Sequence, residues 1–132
     1  MSAFKAAREW MASSTIAHVG FAFLAMGAWA MFANRAHAPP QILLAGIVQG
    51  TLSGLLTLGL KKGLEWLGAR FGGVLALIAP PLITATTILA VLTGAHTLAG
   101  TPEIAATIAV PFAVSTSYAC VYNFSLWKRG AA

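Results

Sequence analysis

Four long apolar runs divide the 132-residue chain, and each is closed by charged residues or by a loop bearing proline or glycine. The first covers residues 16–33 and ends at Asn34-Arg35; the second covers 42–60 and stops at Lys61-Lys62. The third covers about 73–98, and the fourth covers 104–126 before Trp127-Lys128-Arg129. An α-helix needs about 20 apolar residues to cross the hydrocarbon core. Only helices or closed barrels satisfy every backbone group in lipid, and barrel strands would be shorter and would alternate. The pattern predicts an all-α polytopic membrane protein, a single domain over residues 1–132 with four transmembrane helices.

The connections are short. Arg35-Ala36-His37-Ala38-Pro39-Pro40 makes a firm break, a short amphipathic stretch over 63–70 carries Glu65 and Trp66, and Gly100-Thr101-Pro102-Glu103 closes the third run. The N-terminal segment has a basic start but no clean apolar stretch ending in a small-residue cleavage site. It reads as an amphipathic lead-in that stays attached.

Composition sharpens this picture. Hydrophobic residues make up 58% of the chain and charged residues only 8%, against about 25% charged in a soluble domain. Seven of the eight basic residues (Lys5, Arg8, Lys61, Lys62, Arg70, Lys128, Arg129) fall on one side of the four spans, and Arg35 falls on the other with Glu103. The positive-inside rule places both termini and the middle loop in the cytoplasm, with a bacterial inner membrane as the expected location. Trp10, Trp66 and Trp127 lie beside these basic groups, as interfacial anchors do. The basic excess is accounted for at a membrane surface, and no nucleic-acid partner is expected.

The chain reads as two similar halves, each a helical hairpin with a basic stop. Lys61-Lys62-Gly63 matches Lys128-Arg129-Gly130 at a spacing of 67, and Ala36-His37 and Ala95-His96 are both expected in exterior turns. A repeat of two hairpins explains this; so short a match also arises by chance. Within the second helix Gly46, Gly50 and Gly54 form a small-residue stripe that lets another backbone approach closely, either inside the bundle or in a homodimer. Pro80-Pro81 and Pro111 interrupt the backbone bonding of the last two helices.

Candidate chemistry is sparse. The lone Cys120 reads as a packing residue, and the three histidines have no metal-ligand spacing, so neither metal nor other cofactor is expected. No Asp, Glu, Lys or Arg lies inside the spans. That argues against proton-coupled exporters of the small multidrug type, ion pumps and voltage sensors, which rely on buried charge. No nucleophile has an assigned base, and Gly72-Gly73 lacks the lysine and spacing of a phosphate loop, so no enzyme is expected. The polar groups that remain are His18, Gln49, Tyr118, Tyr122 and Asn123, with Tyr118 and Tyr122 on one helical face. An amide at the depth of Gln49 is expected to bond a neighbouring helix. If the second and fourth helices are neighbours, Lys61, Lys62, Lys128 and Arg129 surround one basic pocket at headgroup depth, which attracts lipid phosphates. Plain anchoring of the chain explains the same residues.

Two segments resemble the GtrA-like family of small four-helix membrane proteins: Leu43 to Trp66, similar to that family's second helix, and Ala109 to Arg129, similar to its last, with the pair Asn123-Phe124 followed by basic and aromatic residues. The family often closes its second helix with an Asn-Arg pair, where this chain has Lys61-Lys62. The resemblance implies a protein that translocates, or helps present, a polyprenyl-phosphate-linked sugar for cell-surface polysaccharide synthesis. Lys61, Lys62, Lys128 and Arg129 would then hold the phosphate of an anionic polyprenyl lipid, Gln49, Tyr118 and Asn123 would face the sugar or the helix crevice, and a glycosyltransferase would be a partner. The competing expectation is an accessory subunit of a larger membrane complex, with no activity of its own.

Overall fold

The computed structural model describes residues 2–130, apart from the side chains of 11–13. The described residues form five helices: α1 (Ala3–Ser13), α2 (Thr15–Ala33), α3 (Pro39–Gly68), α4 (Leu75–Ala99) and α5 (Ile104–Gly130). The last four are long and apolar enough to cross a membrane, so the chain is a four-span integral membrane protein. The amphipathic lead-in forms α1, whose first turn is capped by the Ser2 hydroxyl accepting from the Lys5 amide. Ser14 then starts α2 in the same way, accepting from the Ala17 amide at 3.2 Å.

Charged residues bound the apolar runs but not the helices. α3 begins at the Pro39-Pro40 pair expected to be a break, because the first turn of a helix needs no N–H partner and proline already holds the helical φ. It passes through Lys61-Lys62 to Gly68, and α5 likewise runs through Lys128-Arg129, since lysine and arginine are good helix formers. The stretch over 63–70 is therefore mostly the last turns of α3. α4 ends where Gly100 takes the left-handed conformation (φ +70°) that closes helices, with the Thr101 amide donating to the His96 carbonyl.

Two antiparallel hairpins, α2–α3 and α4–α5, make up the bundle. α3 and α5 pack on each other and on both remaining spans, while α2 and α4 do not approach each other. The glycine stripe of α3 faces α2. A Cβ built on Gly50 would lie 2.9 Å from the Phe23 carbonyl oxygen, one on Gly46 would meet the Met31 side chain, and one on Gly54 would touch Val19 at 3.3 Å. Gly27 of α2 completes the seam, its own Cβ position lying 3.0 Å from the Gly46 carbonyl oxygen. The stripe is thus spent inside the chain and offers no free surface for a homodimer.

The interior combines a small apolar cluster of Ile88, Leu92 and Ile108 with many polar side chains, and many large apolar side chains point outward. Phe21, Leu24, Leu82 and Leu98 are exposed, whereas Gln49, His96, Asn34 and Thr107 are fully buried. Lipid tails cover the first set as well as protein would, so close backbone approach and interhelical hydrogen bonds are left to hold the spans together.

Candidate functional site

At the end of the bundle that carries Lys61, Lys62, Lys128 and Arg129, α3 and α5 meet along a polar seam. The Tyr122 hydroxyl donates to Glu65 Oε2 at 2.5 Å. Tyr118 and Tyr122, one helical turn apart, stack with ring centroids 5.6 Å apart, and Lys61 Nζ stands 5.9 Å from the Tyr122 ring centroid. Because α2 and α4 flank this seam on opposite sides, it separates two cavities.

The larger is a groove of about 690 Å³ between α2, α3 and α5. Lys61, Lys62, His18 and Tyr118 line it near the basic end, with the hydroxyls of Thr15, Thr57 and Ser115. Farther along the spans the charged groups give out and the lining is mostly apolar, with Met26, Leu56, Val114 and Pro111 beside the Ser53 hydroxyl. The groove has a cationic mouth and a largely apolar floor that runs along the spans away from it.

The second cavity is a crevice of about 430 Å³ between the ends of α3 and α5, the 69–74 connection and the start of α4. Glu65, Asn123 and Trp127 supply its polar groups, and Phe71, Ala76 and Leu126 its apolar lining. Trp127 Nε1 donates to the Gly73 carbonyl at 3.0 Å, which fastens the connection to α5. Asn123 Nδ2 donates to the carbonyls of Ala76 and Leu77 at 3.1 and 2.9 Å. Those carbonyls would bond the amides of residues 80 and 81 in an unbroken helix, and both are prolines with no N–H. Asn123 replaces both missing donors.

The residues singled out by sequence are thus divided. Lys61, Lys62, His18 and Tyr118 share the groove, Tyr122 sits on the seam, and Asn123 lies on the crevice side. Lys128 and Arg129 line neither cavity. Arg129 follows Tyr118 by 11 residues, about three helical turns, so it shares the tyrosine face beyond the groove mouth, while Lys128 turns roughly a quarter-circle away. Gln49 is far from the groove mouth. Its Nε2 donates to Ser53 Oγ at 2.9 Å, and its Oε1 accepts from His96 Nε2 at 2.8 Å. It bonds a neighbouring helix, as an amide at that depth should.

Several contributing residues carried no sequence signal of their own. His96 lies inside α4, fully buried, rather than in an exterior turn; its Nδ1 meets Thr101 Oγ1 at 2.7 Å. It is therefore not equivalent to His37, which sits in the 34–38 loop and pairs with Glu103 at 3.2 Å. At that same end Asn34 donates to Thr107 Oγ1 at 2.7 Å and accepts from the Glu103 amide at 2.9 Å, tying the hairpins together. Glu65 lies in a segment that reads only as interfacial; the i, i+4 spacing from Lys61 was the available hint that it points along the same face. Among the described residues no cluster of His, Cys, Asp and Glu could hold a metal ion.

Comparison with family models, curated protein sequences and solved structures gave no match to this chain.

Proposed function

We propose that the chain is a membrane-embedded carrier or presenter of a polyprenyl-phosphate-linked sugar, akin to the GtrA-like proteins its second and fourth spans resemble, with the groove mouth at the cytoplasmic face of an inner membrane. The observation that carries this is the graded groove: Lys61, Lys62 and His18 at its mouth and Met26, Leu56 and Val114 along its floor. A lipid phosphate needs cationic donors at headgroup depth, and its chain needs an apolar channel leading into the bilayer. Lysines answer the first need without charge at the bilayer centre, because their stems lie in hydrocarbon while the ammonium reaches the headgroups. Lys128 and Arg129 then act as anchors of α5, with Arg129 adding to the field beyond the mouth.

Binding of a polyprenyl monophosphate to the protein in nanodiscs tests the reading. The Lys61→Gln/Lys62→Gln pair should weaken it at least about tenfold, from two lost charge-assisted contacts, and Lys128→Gln should leave it within about twofold. Unchanged binding in the lysine pair would overturn the groove as the phosphate site. Isolation in mild detergent with a stoichiometric larger protein, and no polyprenyl phosphate binding, would favour the accessory-subunit role instead.

A further inference from the structure

The crevice beside Trp127 has a chemistry opposite to that of the groove. Its side-chain donors are already used: both Asn123 Nδ2 bonds go to α4 carbonyls and Trp127 Nε1 goes to Gly73. Its acceptors are only partly used. Asn123 is 1% exposed and its Oδ1 is buried with no hydrogen-bond partner. The amide cannot be turned over to fill that need, because Nδ2 faces two carbonyls that only accept. Glu65 also lines the crevice, and beyond the Tyr122 hydroxyl its carboxylate makes no ion pair with any described residue. That is notable at an end holding Lys61, Lys62, Lys128 and Arg129. An anion and an orphan acceptor, walled by Trp127 and Phe71, call for a group that donates hydrogen bonds and carries positive charge. A neutral hydroxyl fits less well, because it leaves the Glu65 carboxylate without a counter-charge.

We infer that this crevice binds a primary ammonium group, with the Glu65 carboxylate as counter-charge and Asn123 Oδ1 as second acceptor. At this depth the ammonium belongs either to an ethanolamine lipid headgroup or to a free amine. The inference is independent of the phosphate groove, which lies across the α3–α5 seam and uses other side chains.

Protein reconstituted in equimolar phosphatidylethanolamine and phosphatidylcholine of matched acyl chains, then gently released for native mass spectrometry, tests it. The two headgroups differ in N–H donors, which choline lacks. The wild-type chain should retain the ethanolamine lipid about tenfold over the choline lipid, as expected for charge-assisted bonds. Glu65→Gln, which keeps an acceptor for Tyr122, should fall to near parity, while Lys61→Gln/Lys62→Gln should keep the preference. Tyr122→Phe frees Glu65 Oε2 and should keep or raise it, giving a second readout if Glu65→Gln misfolds. Excess free ethanolamine separates the sources: displacement of the lipid assigns the site to the ammonium alone, and retention assigns it to the ammonium held at headgroup depth. Equal retention of both lipids by the wild type, an unchanged preference in a folded Glu65→Gln, or loss of preference in Tyr122→Phe would overturn the inference.

Discussion

Asn123 of α5 donates across the bundle to the carbonyl of Leu77, 2.9 Å away, the carbonyl that Pro81 leaves without its helical partner. The same amide reaches Ala76, the carbonyl orphaned by Pro80. A weakness in one span is mended by a side chain from another, so the proline pair and the asparagine form one structural unit. The arrangement also fixes the start of α4 beside the crevice.

Asn123→Leu should destabilise the protein in detergent by about 1–3 kcal/mol, the cost of stranding buried carbonyls. Restoring helical donors with Pro80→Ala/Pro81→Ala should recover much of that loss. Thermal or denaturant unfolding of the four species in a double-mutant cycle measures the coupling. Additive effects would show that the amide does not serve the proline carbonyls.

Gly50→Ala should destabilise by about 1–3 kcal/mol, because the added methyl would lie 2.9 Å from the Phe23 carbonyl and 3.1 Å from its ring. Gly59, on the same helix, has nothing within 4 Å of its Cβ position. Gly59→Ala should therefore be neutral or stabilise by up to about 1 kcal/mol, through helix propensity alone. Equal effects at the two sites in an unfolding assay would remove the α2–α3 seam as a determinant of stability.

Gln49→Leu should cost about 1–3 kcal/mol by leaving the buried His96 Nε2 without an acceptor. Gln49→Leu/His96→Leu should cost less than the two single changes added together, since a pair of apolar groups leaves fewer unmet bonds. A double variant as unstable as the sum would place the stabilisation elsewhere, in Ser53 or Thr101.

The four spans were legible in the sequence because each must solve the bilayer problem by itself. Length, apolar content and the side on which Lys61, Lys62, Lys128 and Arg129 fall are local properties, and they define the four spans and the basic end without reference to packing. The glycine stripe was legible too, since Gly46, Gly50 and Gly54 share one face whatever they meet. Its partner was not: that Gly27 and Phe23 fill it depends on how α2 lies on α3. The boundaries of α3 escaped for a related reason, because Lys61-Lys62 ends an apolar run without ending a helix. What the tertiary structure alone decided is the pairing of polar groups between distant positions. Gln49 with His96, Asn34 with Thr107, Tyr122 with Glu65 and Asn123 with Leu77 lie 47, 73, 57 and 46 residues apart. In a medium that offers little water such groups gain by finding partners, so the need is written in the composition. Which partner answers it follows from the helix arrangement, and that arrangement also sets Lys61 and Lys62 on one groove while leaving Lys128 and Arg129 outside it.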